Sequence, residues 1–192
     1  GIVVALRGEQ GIGKNFFIEN FGKLFGNSYI EVLNSEALVG KFNKQLQNKL
    51  IVFADEIYTF FGGQDGIKSR NLLKGMITGN DMIIEMKGKD SYVAKNLIRF
   101  FFASNSEWVA PVENGDRRYF VLDVSSEKKE NGEYFGSIYN DLLSGGYEDL
   151  LFELQSKDIF DFDFRKIPLT KAKSEQAYYT ADPLIRFLVD AI

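Results

Sequence analysis

Hydrophobic positions fall along this chain in short unbroken blocks. "IVVAL" (2–6), "LIVFA" (50–54), "IRFFFA" (98–103) and "YFVLDV" (119–124) run apolar without alternation, and "YIEVL" (29–33) is a fifth candidate. Such runs predict strands covered on both faces, as in a parallel sheet. Between them the period lengthens. Residues 15–25 put Phe17, Phe21 and Leu24 on one helical stripe, and Gly26 suits that helix's end. Residues 35–47 and 65–78 also read as helices, the second capped by Asp65 and stopped by Gly79. Strand–helix alternation of this kind predicts an α/β fold with a mainly parallel central sheet flanked by helices.

Two stretches depart from that rhythm. Residues 82–96, "MIIEMKGKDSYVAKN", predict a β-hairpin turning at Lys87-Gly88-Lys89. Beyond residue 125, "EYFGSIYNDLLSGG" (133–146), "YEDLLFELQSKD" (147–158) and "DPLIRFLVDAI" (182–192) are helical in pattern, and "FDFDFRKIPLT" (160–170) is an extended joint carrying Pro168. The expected organisation is a core over residues 1–125 and a small C-terminal helical subdomain over 126–192, packed behind the sheet.

Composition narrows the chemistry. The 192 residues suit one domain, or one with a small appendage, and 45% hydrophobic content allows a sizeable core. The formal charge of −4 gives no global basic field, so any nucleic-acid contact must come from a local patch. There is no Cys and no His, which removes disulfides, thiolate nucleophiles, imidazole bases and the common zinc ligands. A cytoplasmic setting fits. No apolar run approaches the roughly 20 residues of a membrane span. The first residues already begin a strand-like block, which reads as a piece cut from a longer protein.

The strongest motif follows the first block. Gly8, Gly13 and Lys14 match G-x-x-x-x-G-K between a buried strand and an amphipathic helix. The predicted phosphate loop spans Gly8, Glu9, Gln10, Gly11, Ile12, Gly13, Lys14 and Asn15, with ATP as ligand. Glycines let backbone N–H groups turn inward, the helix N-terminus adds partial positive charge, and Lys14 adds a full one. Asn15 stands where Ser or Thr usually offers a hydroxyl to Mg²⁺, and its amide oxygen is an alternative ligand. The 50–54 block ends in Asp55-Glu56, where Asp55 is expected at the metal and Glu56 at an attacking water. "IRFFFASN" ends in Ser104-Asn105, and Asn105 could bond that water or the γ-phosphate. In a parallel sheet all these strand ends open on one edge. The plain alternatives are an acidic rim turn and a turn asparagine.

Arg117 and Arg118 precede their strand, so they belong at the opposite edge. They could reach a neighbouring subunit's ATP in trans, which would imply a ring, or pair on the surface with Glu113 or Asp116. Lys87 and Lys89 could grip a phosphate backbone or simply solvate a turn.

Together "GEQGIGKN", "LIVFADE", "LLKGMITGNDMIIEMKGKD", "IRFFFASN" and "DRRYFVLDV" resemble the ATPase domain of superfamily 3 helicases of the AAA+ class, as found in poxvirus-type primase–helicases of viruses, phages and mobile elements. The tail "FDFRKIPLTKAKSEQ" resembles the segment that follows that core. The resemblance implies a P-loop NTPase fold of AAA+ type. It also implies a hexameric ring that hydrolyses ATP with Mg²⁺ to move on single-stranded DNA during replication, and a primase domain elsewhere in the full-length chain. Under it Lys14 and Asn15 are Walker A, Asp55 and Glu56 Walker B, Asn105 the sensor, Lys87 and Lys89 the DNA-gripping hairpin, and Arg117 or Arg118 the finger. The cytoplasm would then be that of a host cell. A small P-loop kinase and a non-catalytic nucleotide-binding assembly module are the rival expectations.

Overall fold

In a computed structural model the described residues are 1–56, 66–163 and 166–191. Five strands form one wholly parallel sheet: β1 (Val3–Arg7), β2 (Tyr29–Val32), β3 (Ile51–Asp55), β6 (Arg99–Ser104) and β7 (Tyr119–Asp123), in the order β2-β3-β6-β1-β7. Register is continuous across the middle: Val3 lies opposite Phe100 on one side and Tyr119 on the other. The unbroken apolar blocks have a direct cause. Val3, Ala5, Val52, Ala54, Phe100, Phe102, Tyr119 and Val121 face one cluster, while Leu6, Phe53 and Ala103 face a second with Ile18. With both faces covered, successive residues are all buried.

Helix α1 (Lys14–Lys23) supplies Ile18 to the second cluster. The first is completed by α2 (Ser35–Val39), α3 (Gly66–Thr78), β4 (Asp81–Met86) and the 109–112 loop. β4 and β5 (Lys89–Lys95) pair antiparallel as the expected hairpin, outside the main sheet, with Gly88 at φ 73° in the turn. The tail folds as α4 (Gly132–Asp141), α5 (Tyr147–Ser156), α6 (Lys171–Thr180) and α7 (Pro183–Asp190). No helix of the described residues is long and apolar enough to cross a membrane.

Two local expectations change. The helix over 35–47 stops after Val39. Asn43 instead pairs with the hairpin: its amide donates to the Ile83 carbonyl (2.8 Å) and accepts from the Glu85 N–H (2.9 Å). These bonds replace helix bonds, so a tertiary partner overrides local propensity. Helix α6 was absent from the pattern reading and packs on β7, where the Thr170 hydroxyl donates to the Val121 carbonyl (2.6 Å). The expected cap Asp65 and the middle of the 160–170 joint lie outside the described residues.

Candidate functional site

The site grows from the carboxyl ends of β1, β3 and β6. β1 runs between β6 and β7, while the chain leaves it for β2 at the far edge of the sheet. A crevice opens where strand order reverses in this way. The 8–13 loop leaves β1 at that end of the sheet. Gly8 and Gly13 have φ of 151° and 95°, and a Cβ at Gly8 would meet Ile12 Cδ1 at 2.5 Å. Side-chain-bearing residues resist such backbone. Gly13 is also the N-cap of α1, so the helix's unpaired N–H groups open onto the loop.

Lys14 is 5% exposed, and its ammonium donates to three oxygens at 2.7 Å each: the carbonyls of Gly8 and Glu9 and Oδ1 of Asn105. Burial lowers its pKa, while Asp55 and Glu56 pull it back upward. The Asn15 amide donates to Asp55 Oδ2 at 2.6 Å. Glu56 has φ 51°, a left-handed backbone in a residue with a side chain. Its carboxylate accepts from the Ser104 hydroxyl (3.2 Å) and the Asn105 N–H (2.9 Å). Lys14, Asn15, Asp55, Glu56, Ser104 and Asn105 are thus one connected polar network drawn from three strand ends.

The other expected residues lie elsewhere. Arg117 and Arg118 sit at the amino-terminal edge, where the Arg118 carbonyl accepts from the Val3 N–H at 2.7 Å. The Arg118 guanidinium forks onto Asp116 at 2.9 and 2.5 Å, as in the intrachain alternative, and Arg117 is exposed. Burial pushes the Asp116 carboxyl up, but the bonds from Arg118 outweigh it and hold it below its ordinary value. Lys87 and Lys89 are exposed at the hairpin tip.

Pattern reading missed the residues that roof the loop. Lys129 pairs with Glu9, the Glu130 N–H donates to the Gly11 carbonyl (2.9 Å), and the Phe135 ring lies against Gly13 and Phe16. The start of the tail therefore packs on the loop and α1. Only the charged run "KKE" (128–130) hints at this, and sequence gives such a run no address. Arg7, directly before the loop, forks onto Asp123 (2.6 and 3.0 Å) and reaches Glu175 of α6 (2.6 Å), which fixes the loop's stem.

Chemically, the arrangement offers an anion a helix N-terminus, a flexible-backbone cradle and a buried ammonium whose present partners are exchangeable neutral oxygens. Asn15 and Asp55 lie together beside the loop, and both side chains carry oxygens of the type that ligates hard cations. Among the described residues no group of three or more His, Cys, Asp or Glu could hold a metal ion unaided.

Comparisons with known proteins bear on what uses this site. A family model described as "Family of unknown function (DUF5906)" matches residues 6–118, more than half of the chain. The chain is 29% identical over 148 residues to the DNA primase-polymerase of Nitratiruptor phage NrS-1, covering 75% of this chain and 20% of that protein. Two apo structures of the NrS-1 C-terminal region share the fold at TM-score 0.77. They are 22% and 24% identical, each covers 98% of this chain, and the chain spans 47% and 48% of theirs.

These findings correct the superfamily 3 helicase expectation, and with it the AAA+ ATP-driven motor on single-stranded DNA. The named relative is a primase-polymerase, and the matching family has no assigned helicase activity. The physical reason for the misreading is plain. A loop lysine with acids and an asparagine at neighbouring strand ends does not by itself specify an activity, and many activities are grafted onto one fold.

Proposed function

We propose, from the premise that this chain belongs to the family of unknown function DUF5906, that it is the nucleoside-triphosphate-binding part of a DNA-replication protein of the primase-polymerase kind. The reading takes the fold as a P-loop nucleotide-binding core over residues 1–125 with a helical part over 126–192. The chain spans about a fifth of the relative that suggests the DNA role, so that role belongs to this proposal.

The residues present fit ATP with Mg²⁺. The backbone N–H groups from Gly8 to Asn15 would hold the phosphates, and Lys14 would exchange its loop carbonyls for a phosphate oxygen. Asn15 and Asp55 would hold the ion, which would come with the nucleotide because the described residues offer too few ligands alone. Bound Mg²⁺ would offset the charge of the triphosphate. Asn105 and Glu56 would border the terminal phosphate, Glu56 held in place by Ser104. The exposed Lys87 and Lys89 would meet the phosphate backbone of single-stranded DNA.

One observation carries the reading: buried Lys14 and the Asn15–Asp55 pair meet at the mouth of a glycine loop, joined through Asn105 to Glu56. Calorimetric titration with ATP tests it. Micromolar binding is expected with Mg²⁺, weakened at least about tenfold by EDTA or by Asp55→Asn, a difference of about 1.4 kcal/mol. No binding by the folded wild-type chain, or binding indifferent to both changes, would overturn it.

A further inference from the structure

Beside the loop lies a cavity of about 480 Å³ between α1, α4 and α5. Its walls are aromatic and aliphatic: Phe16, Phe17 and Phe21 on one side, Tyr134, Phe135 and Leu150 on the other. Phe135 stands 5.2 Å from Phe16, tilted by 58°, and 5.2 Å from Tyr134, nearly edge-on at 77°. Asn20 also lines it, but both ends of its amide are engaged. Nδ2 donates to the Phe16 carbonyl (2.6 Å), and Oδ1 accepts from Lys23 (3.1 Å) and the Tyr147 hydroxyl (2.5 Å).

Position identifies the occupant. Gly13 belongs to both structures: it closes the loop, caps α1 and lines the cavity. Phe16 lies in the first turn of α1, where a phosphate held at the helix N-terminus would continue into its nucleoside. The roof over that turn is pinned by the Lys129–Glu9 pair and the Glu130–Gly11 bond, which set Phe135 against the loop.

We infer that this cavity takes the nucleobase of the bound nucleotide and does not distinguish adenine from guanine. The inference rests on the triphosphate reading above. Aromatic walls stack on any base, and the larger purine ring system covers more of them than a pyrimidine does. Discrimination between bases needs buried donors or acceptors that a wrong base leaves unpaired, and the side chains lining this cavity offer none: the Asn20 amide is engaged at both ends, and the Tyr134 hydroxyl belongs to an exposed residue that water can satisfy. The site is therefore built to take either purine triphosphate.

The test is a set of Mg²⁺-containing titrations of the whole chain with ATP, GTP, CTP and inorganic tripolyphosphate. ATP and GTP should bind within about threefold of each other, CTP more weakly, and both purines at least about tenfold tighter than tripolyphosphate, the scale of one stacked base. Leu150→Trp, which fills the cavity from the wall away from the loop, should bring ATP and GTP close to tripolyphosphate while leaving tripolyphosphate unchanged. Phe135→Ala should likewise cost the purine nucleotides more than tripolyphosphate, and serves if the first variant folds poorly by circular dichroism. Tripolyphosphate binding as tightly as ATP would overturn the base site and leave the phosphate site standing. So would a more than tenfold preference between purines, or equal losses for ATP and tripolyphosphate in both variants. Failure of every ligand, tripolyphosphate included, would remove both readings.

Discussion

Replacing Lys14 by Met should separate binding from stability. The ammonium is almost wholly enclosed and bonds three oxygens. Its loss removes a charge-assisted contact to phosphate worth about 1.5–3 kcal/mol, so ATP affinity should fall about 10- to 150-fold. Stability should behave otherwise. Glu9 and Asn105 are exposed and Gly8 is half-buried, so water can replace the lost donor at their oxygens. At the same time a desolvated charge disappears and an apolar chain of similar length takes its space. These effects oppose each other, and the net change in unfolding free energy should stay within about 1 kcal/mol. The pH dependence gives a second check. Burial lowers the Lys14 pKa, so between the folded value and the ordinary one the unfolded chain binds more protons. The penalty is present in full below the folded value, and stability rises with pH across that window. A bound phosphate would raise the pKa again, so ATP affinity should fall as pH climbs through the folded value. Urea denaturation and calorimetry at matched pH measure both. An affinity within threefold of wild type, or a loss of more than about 3 kcal/mol of stability, would refute this account of the lysine.

Other sites give sharper structural outcomes. Gln176 is fully buried, accepts from the Val109 N–H (2.7 Å) and donates to the Glu107 carbonyl (2.6 Å), so Gln176→Leu should destabilise by about 2–4 kcal/mol in urea titration because buried backbone groups lose partners. Arg118→Ala strands the Asp116 carboxylate, whose side chain is 1% exposed, and should lower stability by about 3 kcal/mol near neutral pH. The Asp116 pKa is depressed, so the pair's contribution is present above the unfolded value and lost as pH falls through the folded one. The difference between wild type and variant should therefore shrink in acid. Lys87→Ala with Lys89→Ala should weaken binding of single-stranded DNA measured by anisotropy and reduce its logarithmic salt slope by about one to two; an unchanged slope would remove the hairpin from that role.

The sheet was readable because its burial is two-sided. Val52, Phe53 and Ala54 are all enclosed, so the run carries no polar interruption to confuse its period. The hairpin was readable because Gly88 marks a turn between two strand-like runs. Helix α6 was not. It attaches through Gln176, Lys173 and Ala172 rather than an apolar stripe, so its inward side looks polar in sequence. The shortened α2 was hidden for a related reason, since Asn43 finds its partners about 40 residues away on β4. At the site, Lys14, Asp55 and Asn105 follow strand ends and could be placed by topology alone. Lys129, Glu130 and Phe135 could not, because nothing local says which surface a tail will cover. Purpose was harder still: the residues specify what charge the pocket can hold, and the process drawing on it lies outside their geometry.

The roof over the glycine loop also bears on the order of assembly. Glu9 waits for a partner 120 positions downstream, and Gly13 for a ring that arrives after the last strand of the sheet. Contacts between residues this far apart in sequence carry a loop-closure cost that is met only once the chain between them is organised. A ligand that needs the finished enclosure can therefore select the mature state but cannot template the earlier ones.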